Sequence, residues 1–176
     1  MEHSSMDARD PSRPIEPPRP HDHQAERAAL GCCIGEGGHG CFARLGEQLC
    51  AEDFDLIAHA RIFEALRAMA TRREPLDLVV LAHELATRGD LEIAQDALAQ
   101  LLDAAIPASL DAYVRIVREH SLRRRGIEAA RGLALALRDL ACPPSDAYDA
   151  HRERLAAITA RLTAFTAPRG RDTDAA

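Results

Sequence analysis

From Tyr113 to Phe165 the apolar residues fall on a seven-residue repeat, and no other feature restricts the fold of this chain as tightly. Tyr113, His120, Ile127 and Ala134 form one row, and Ile116, Arg123, Ala130 and Leu137 the other. After the break Cys142-Pro-Pro-Ser145, where Ser145 is the expected N-cap, a second repeat sets Tyr148, Leu155 and Leu162 beside His151, Ile158 and Phe165. Spacings of three and four residues in turn keep one stripe of a helix apolar, whereas a strand needs alternation at every second residue. Two long helices joined by a short turn make an antiparallel hairpin, and so narrow a seam wants a further surface to cover it. Ile127, Leu137, Leu155, Ile158 and Leu162 are therefore the expected interface residues. His120, Arg123 and Gly126 interrupt the seam, which argues against a regular coiled coil.

The segments upstream are also helical in pattern. Ala25, Ala28, Ala29, Cys32 and Cys33 share one face of a helix expected to start near Asp22 and to end in the loop Gly35–Gly40. A short helix follows with Cys41, Phe42, Leu45 and Leu49 inward, then the connector Ala51-Glu-Asp-Phe54 with Phe54 as an anchor. Residues 57–72 turn Ile62, Phe63, Leu66, Met69 and Ala70 to the core. Asp77 is the expected N-cap of the next helix, with Leu76 and Leu81 as a staple across it, and Arg88-Gly89-Asp90 as its end. One more helix is expected over 94–106, stopped by Pro107. The expected fold is all-α, a small bundle over 21–107 followed by a hairpin over 108–166. A Pro-rich leader, 1–20, and a polar tail, 167–176, are expected to be disordered because neither can bury enough apolar surface to offset ordering.

Composition narrows the function. The chain has 22 basic and 28 acidic residues, a formal charge of −6, which opposes sequence-blind phosphate binding. Every basic residue is Arg, since the sequence contains no Lys. A phosphate-binding loop ending in Gly-Lys-Ser/Thr is thereby excluded, because its chemistry needs the Lys ammonium at the nucleotide phosphates. Neither a nucleophile with a base nor a carboxylate pair stands at catalytic spacing, so no enzymatic activity and no cofactor are expected of these residues. His59 reads as a packed or capping residue, and Ser109 and Ser145 as cap or turn residues. With no secretory signal pattern, no membrane-length apolar run and an odd count of five cysteines, a cytoplasmic protein is expected.

Two clusters merit a functional reading. His21, His23, Cys32, Cys33, His39 and Cys41 offer zinc-type ligands over residues 21–41, but Cys32 and Cys33 are adjacent and on the core face. Buried thiols acting as small apolar groups are the commoner state, so no metal is expected. Arg115, Arg118, Arg123, Arg124 and Arg125 against Glu119 form the basic patch of an acidic chain. No aromatic residue is interleaved there to stack on bases, so direct DNA binding is expected to be weak or absent. Arg123, Arg124 and Arg125 are instead candidate contacts for a protein partner.

The order of several segments is informative. Pro17-Pro18, Gln24-Ala-Glu-Arg-Ala-Ala-Leu-Gly31, Glu52-Asp-Phe54, His59-Ala-Arg-Ile-Phe-Glu-Ala-Leu66, Pro75-Leu-Asp-Leu-Val-Val-Leu81, Leu85-Ala-Thr-Arg-Gly-Asp-Leu91 and Ala112-Tyr-Val-Arg-Ile-Val-Arg-Glu119 follow one another over residues 17–130. In that order they resemble the N-terminal domain of the DnaB-type bacterial replicative helicase. Departures are Gln95-Asp96, where the family usually carries a Gly pair, and the Gly-rich stretch 35–40 in place of an ordinary turn. The resemblance implies a bundle with a projecting hairpin that pairs hairpin to hairpin, builds a collar on the hexamer and helps bind primase. It implies a homodimer or higher homo-oligomer, with replicative helicase or primase as partner. The family's RecA-like ATPase, and with it helicase activity, is implied for no residue present. Two alternatives stay open: the front piece of a complete ATP-dependent helicase, and a mobile-element regulator or inhibitor of a host helicase.

Overall fold

The computed structural model describes residues 18–103 and 105–166, and only the backbone of residues 93, 94 and 164–166. The side chain of Phe165, the tail and most of the expected leader lie outside the described residues. Among those residues every regular element is helical. The order is α1 (His23–Gly31), α2 (Gly38–Gly46), a 3-10 turn (Ala51–Asp53), α3 (Ile57–Arg72), α4 (Leu78–Arg88), α5 (Leu91–Gln100), a second 3-10 turn (Pro107–Ser109), α6 (Leu110–Ala136) and α7 (Pro144–Thr166). No helix described is long and apolar enough to cross a membrane.

Local chemistry sets several of these limits. The Asp22 carboxylate accepts from the Ala25 amide at the start of α1. Asp77 accepts from Val79 and Val80 at the start of α4, and Leu76 and Leu81 are both buried across that cap. Each cap satisfies amides that have no partner inside the helix. Gly89, at φ 77°, ends α4 in the left-handed region, where a Cβ would be strained. Gly37, at φ 78°, is the left-handed residue that starts α2, so part of the Gly-rich stretch expected as loop is the first turn of a helix.

The core surrounds Phe63, whose ring lies 5.5 Å from Phe42 and 5.4 Å from Phe54. Leu30, Leu45, Ile62, Leu66, Met69, Leu81, Leu85 and Leu101 are fully enclosed around it. Leu110, Val114 and Val117 belong to the same cluster, so the first half of α6 is built into the bundle. Gly31 allows α1 to approach the α5 end, because a Cβ there would run into the Leu101 carbonyl oxygen.

Three expectations need correcting. The helix expected over 94–106 is Leu91–Gln100, and Pro107 starts a 3-10 turn rather than stopping that helix. Pro is suited to such a first position, where its missing N–H has no partner to lose. Ser145 lies inside the first turn of α7 and its hydroxyl donates to Asp146, so it is not the N-cap. The repeat rows also have a different orientation. The buried face of α6 is Leu110, Val114, Val117, Ser121 and Arg124, one step round from the row containing Tyr113 and Ile127.

Candidate functional site: a helical arm and its ionic root

Beyond Ser121, α6 leaves the bundle and runs antiparallel to α7, as shown by Arg118 meeting Arg161 and Gly132 meeting Arg154. Ala129 and Ala147 are buried along this pair, with Ile158 half-buried. The other expected interface residues face outwards: Ile127 and Leu137 are 40% exposed, Leu155 42% and Leu162 43%. Leu135, at 71%, and Tyr148, at 55%, extend the apolar surface of the arm.

The arm is anchored by a carboxylate. Asp53, wholly buried in the turn between α2 and α3, accepts from the Ser121 hydroxyl at 2.6 Å and the Cys50 amide at 2.9 Å. Arg161 of α7 reaches it at 2.5 Å and Arg125 of α6 at 3.3 Å. Burial alone would raise its pKa, but Ser121, Cys50 and Arg161 outweigh that and hold the carboxyl below the usual range. Arg118 donates to the Arg161 carbonyl, closing the arm to the root a second time.

The arginine run divides three ways. Arg123 is exposed and pairs with Glu119 at 2.5 Å. Arg124 is buried and donates to the Asp53 carbonyl at 2.5 Å and the Pro20 carbonyl at 2.9 Å. It is thus part of the fold, tying the segment before α1 to α6. Arg125 is half-buried on Asp53. A second buried carboxylate, Glu26, accepts from His59 Nδ1 at 2.8 Å and the Asp55 amide at 2.7 Å, so His59 is a packed residue of the first turn of α3.

The zinc-type set does not come together as one group among the described residues. Cys32 and Cys33 are in the core, where burial pushes both thiols up, and His39 Nε2 bonds the Glu74 carbonyl. His21 and His23 instead approach Asp55, with His23 Nε2 at 2.9 Å. Arg19 at 3.3 Å and Arg124 at 3.8 Å already serve that carboxylate, and two adjacent guanidiniums oppose a further cation. Sequence reasoning missed Asp53, Asp55 and Glu26. The available signal was acidic residues in a short connector of a chain that carries an arginine run elsewhere.

With this arrangement in view, the comparisons with known proteins are consistent. The family model described as DnaB-like helicase N terminal domain matches residues 18–119. A replicative DNA helicase DnaB of Geobacillus stearothermophilus is 37% identical over 118 residues, covering 65% of this chain and 26% of its own. The replicative DNA helicase DnaB of Mycobacterium leprae is 34% identical over 132 residues, 73% of this chain and 22% of its own. The chain therefore spans about a quarter of the relatives it matches. The crystal structure of the N-terminal domain of DnaB helicase from Mycobacterium tuberculosis superposes with a TM-score of 0.70 at 28% identity, covering 78% of this chain and 98% of that one. What matches is the helical N-terminal part of these helicases, not their ATPase part, and the chain belongs to the DnaB-like helicase N-terminal domain family.

Proposed function

We propose that this chain is a protein-interaction module of DNA replication, dimerising through its helical arm and contacting a replicative helicase collar or a primase in the cytoplasm. One observation carries the reading: Ile127, Leu137, Leu155 and Leu162 stay 40–43% exposed along a single arm, whereas Leu30, Leu45, Leu66, Leu81, Leu85 and Leu101 of the bundle are fully enclosed. Covering such side chains stabilises by about 25 cal/mol per Å² of apolar surface, which favours a partner over water. The bundle at residues 21–107 forms the foundation and the arm at 108–166 the reach, while Arg123 and Arg125 set orientation more than strength.

Light scattering behind size exclusion tests the pairing. The wild type is expected to elute as a concentration-dependent dimer, and the double variant Leu155→Glu/Leu162→Glu as a monomer with unchanged helical circular dichroism. A wild-type monomer mass at every concentration sinks the dimer. A second reading, the front part of a full ATP-dependent helicase, is favoured by the relatives, of which the match spans 26%. An in-frame Gly-Lys-Ser/Thr phosphate loop downstream of the gene segment would establish it.

A further inference from the structure

On the side of the arm away from Ile127, α6 and α7 enclose an open slot of about 400 Å³. Its polar lining is Arg125, Arg154, Arg161 and Glu128, with Ala129 and Ile158 among its apolar walls. The charges do not balance locally. Asp53, beneath the slot, is shared between Arg125 and Arg161. Glu128 is engaged by Arg19 at 3.0 Å, on the outer side. Arg154 makes no ion pair or hydrogen bond with any described residue. The backbone has nonetheless made room for it: a Cβ on Gly132 would stand 2.5 Å from its Nη1. The Arg154 guanidinium thus lies directly over the α6 backbone at Gly132.

We propose that this slot receives a carboxylate side chain from an acidic, partly apolar peptide segment of a partner protein. Planar guanidiniums grip carboxylates two bonds at a time, and the Ala129 and Ile158 walls suit aliphatic carbons beside the acid. Nucleic acid fits less well. Its charges run in a line, about one per 1.7 Å of duplex, and call for a track of cations, whereas this slot offers Arg154 beside two guanidiniums already shared with Asp53, and no stacking ring lines it. The inference rests on the reading of the arm as a partner-binding element, not on the dimer.

The test uses the full chain with nitrogen-15 labelled arginine, following the Nε–H signals during titration. The probe is a capped Glu-Leu-Leu-Glu-Glu-Leu peptide, against its all-Gln version, inorganic phosphate and a short oligothymidine. The acidic peptide is expected to shift the signal lost in Arg154→Ala, and that exposed substitution to weaken binding about tenfold. Equal binding of the Gln peptide, stronger binding of oligothymidine or phosphate, or an unmoved Arg154 signal would overturn the proposal. Peptide binding by a chain with monomer mass removes the dimer and leaves the slot, whereas a dimer with a silent slot does the reverse.

Discussion

The two halves of α6 share one helix and are held by different forces. Before Ser121 the helix is fastened by Leu110, Val114 and Val117 in an aliphatic core. After it, the helix is paired with α7 over small residues and fixed at its root by Asp53 with Arg125 and Arg161, while Ile127 and Leu137 face outwards. An arm held by ions at one end keeps its apolar surface in reserve. The difference is thus physical: buried aliphatic side chains hold the first half of α6, and ions at the root hold the second, with Ile127 and Leu137 left exposed.

The sharpest way to break this contrast is a pair of truncations. Phe63→Ala removes a fully buried ring from the centre of the core and should cost about 3–5 kcal/mol in urea unfolding. Leu155→Ala, measured at concentrations where the chain is monomeric, should stay within about 0.5 kcal/mol. Similar losses for both would show that the arm packs as tightly as the bundle.

The ionic root comes next. Asp53→Asn keeps the shape and removes the charge, leaving Arg125 and Arg161 without their anion. Because both guanidiniums are about a third exposed, the loss should be about 2–3 kcal/mol, short of that for an entirely buried pair. The pH dependence has a definite sign. Asp53 and Asp55 titrate below their usual range in the folded protein, although burial works against ionisation of both: Ser121, Cys50 and Arg161 act on the first, His23, Arg124 and Arg19 on the second. Their stabilisation is complete above the unfolded carboxyl pKa of about 3.9 and is lost as pH falls through the lower folded values. Urea midpoints should drop below about pH 4, and less steeply in Asp53→Asn.

These two sites also separate what could be read in the sequence from what could not. The caps at Asp22 and Asp77, the staple of Leu76 and Leu81 and the end at Gly89 were legible because each involves residues only a few positions apart. Asp53 was not, because its partners Ser121, Arg125 and Arg161 are joined to it only by the folded chain. The orientation of α6 was misread for a related reason. Its inward face includes Ser121 and Arg124, which a polar pattern assigns to water, whereas Ile127 and Leu137, which the repeat sets on the seam, face outwards. The end of α5 depends on α1 lying against Leu101, a contact that no local periodicity reports.

That contact gives a smaller prediction on the bundle side. Gly31→Ala would push a methyl into the Leu101 carbonyl and the Ala105 side chain, and both must yield. Overpacking of this kind costs about 1–3 kcal/mol. Thermal unfolding of the variant checks it, and an unchanged midpoint would mean that α1 and the α5 end slide apart freely.

The smallest effect distinguishes the two glycines of the arm. Gly126 has nothing within 4 Å of a built Cβ, and its φ is not positive, so Ala fits its backbone. Gly126→Ala should therefore stabilise by about 0.5–1 kcal/mol, through helix propensity and a less flexible unfolded chain. Gly132→Ala carries the same propensity gain but must displace Arg154, so its net change should fall below that of Gly126→Ala. Side-by-side urea titrations read the difference directly. Equal gains at both positions would mean that Arg154 moves aside at no cost.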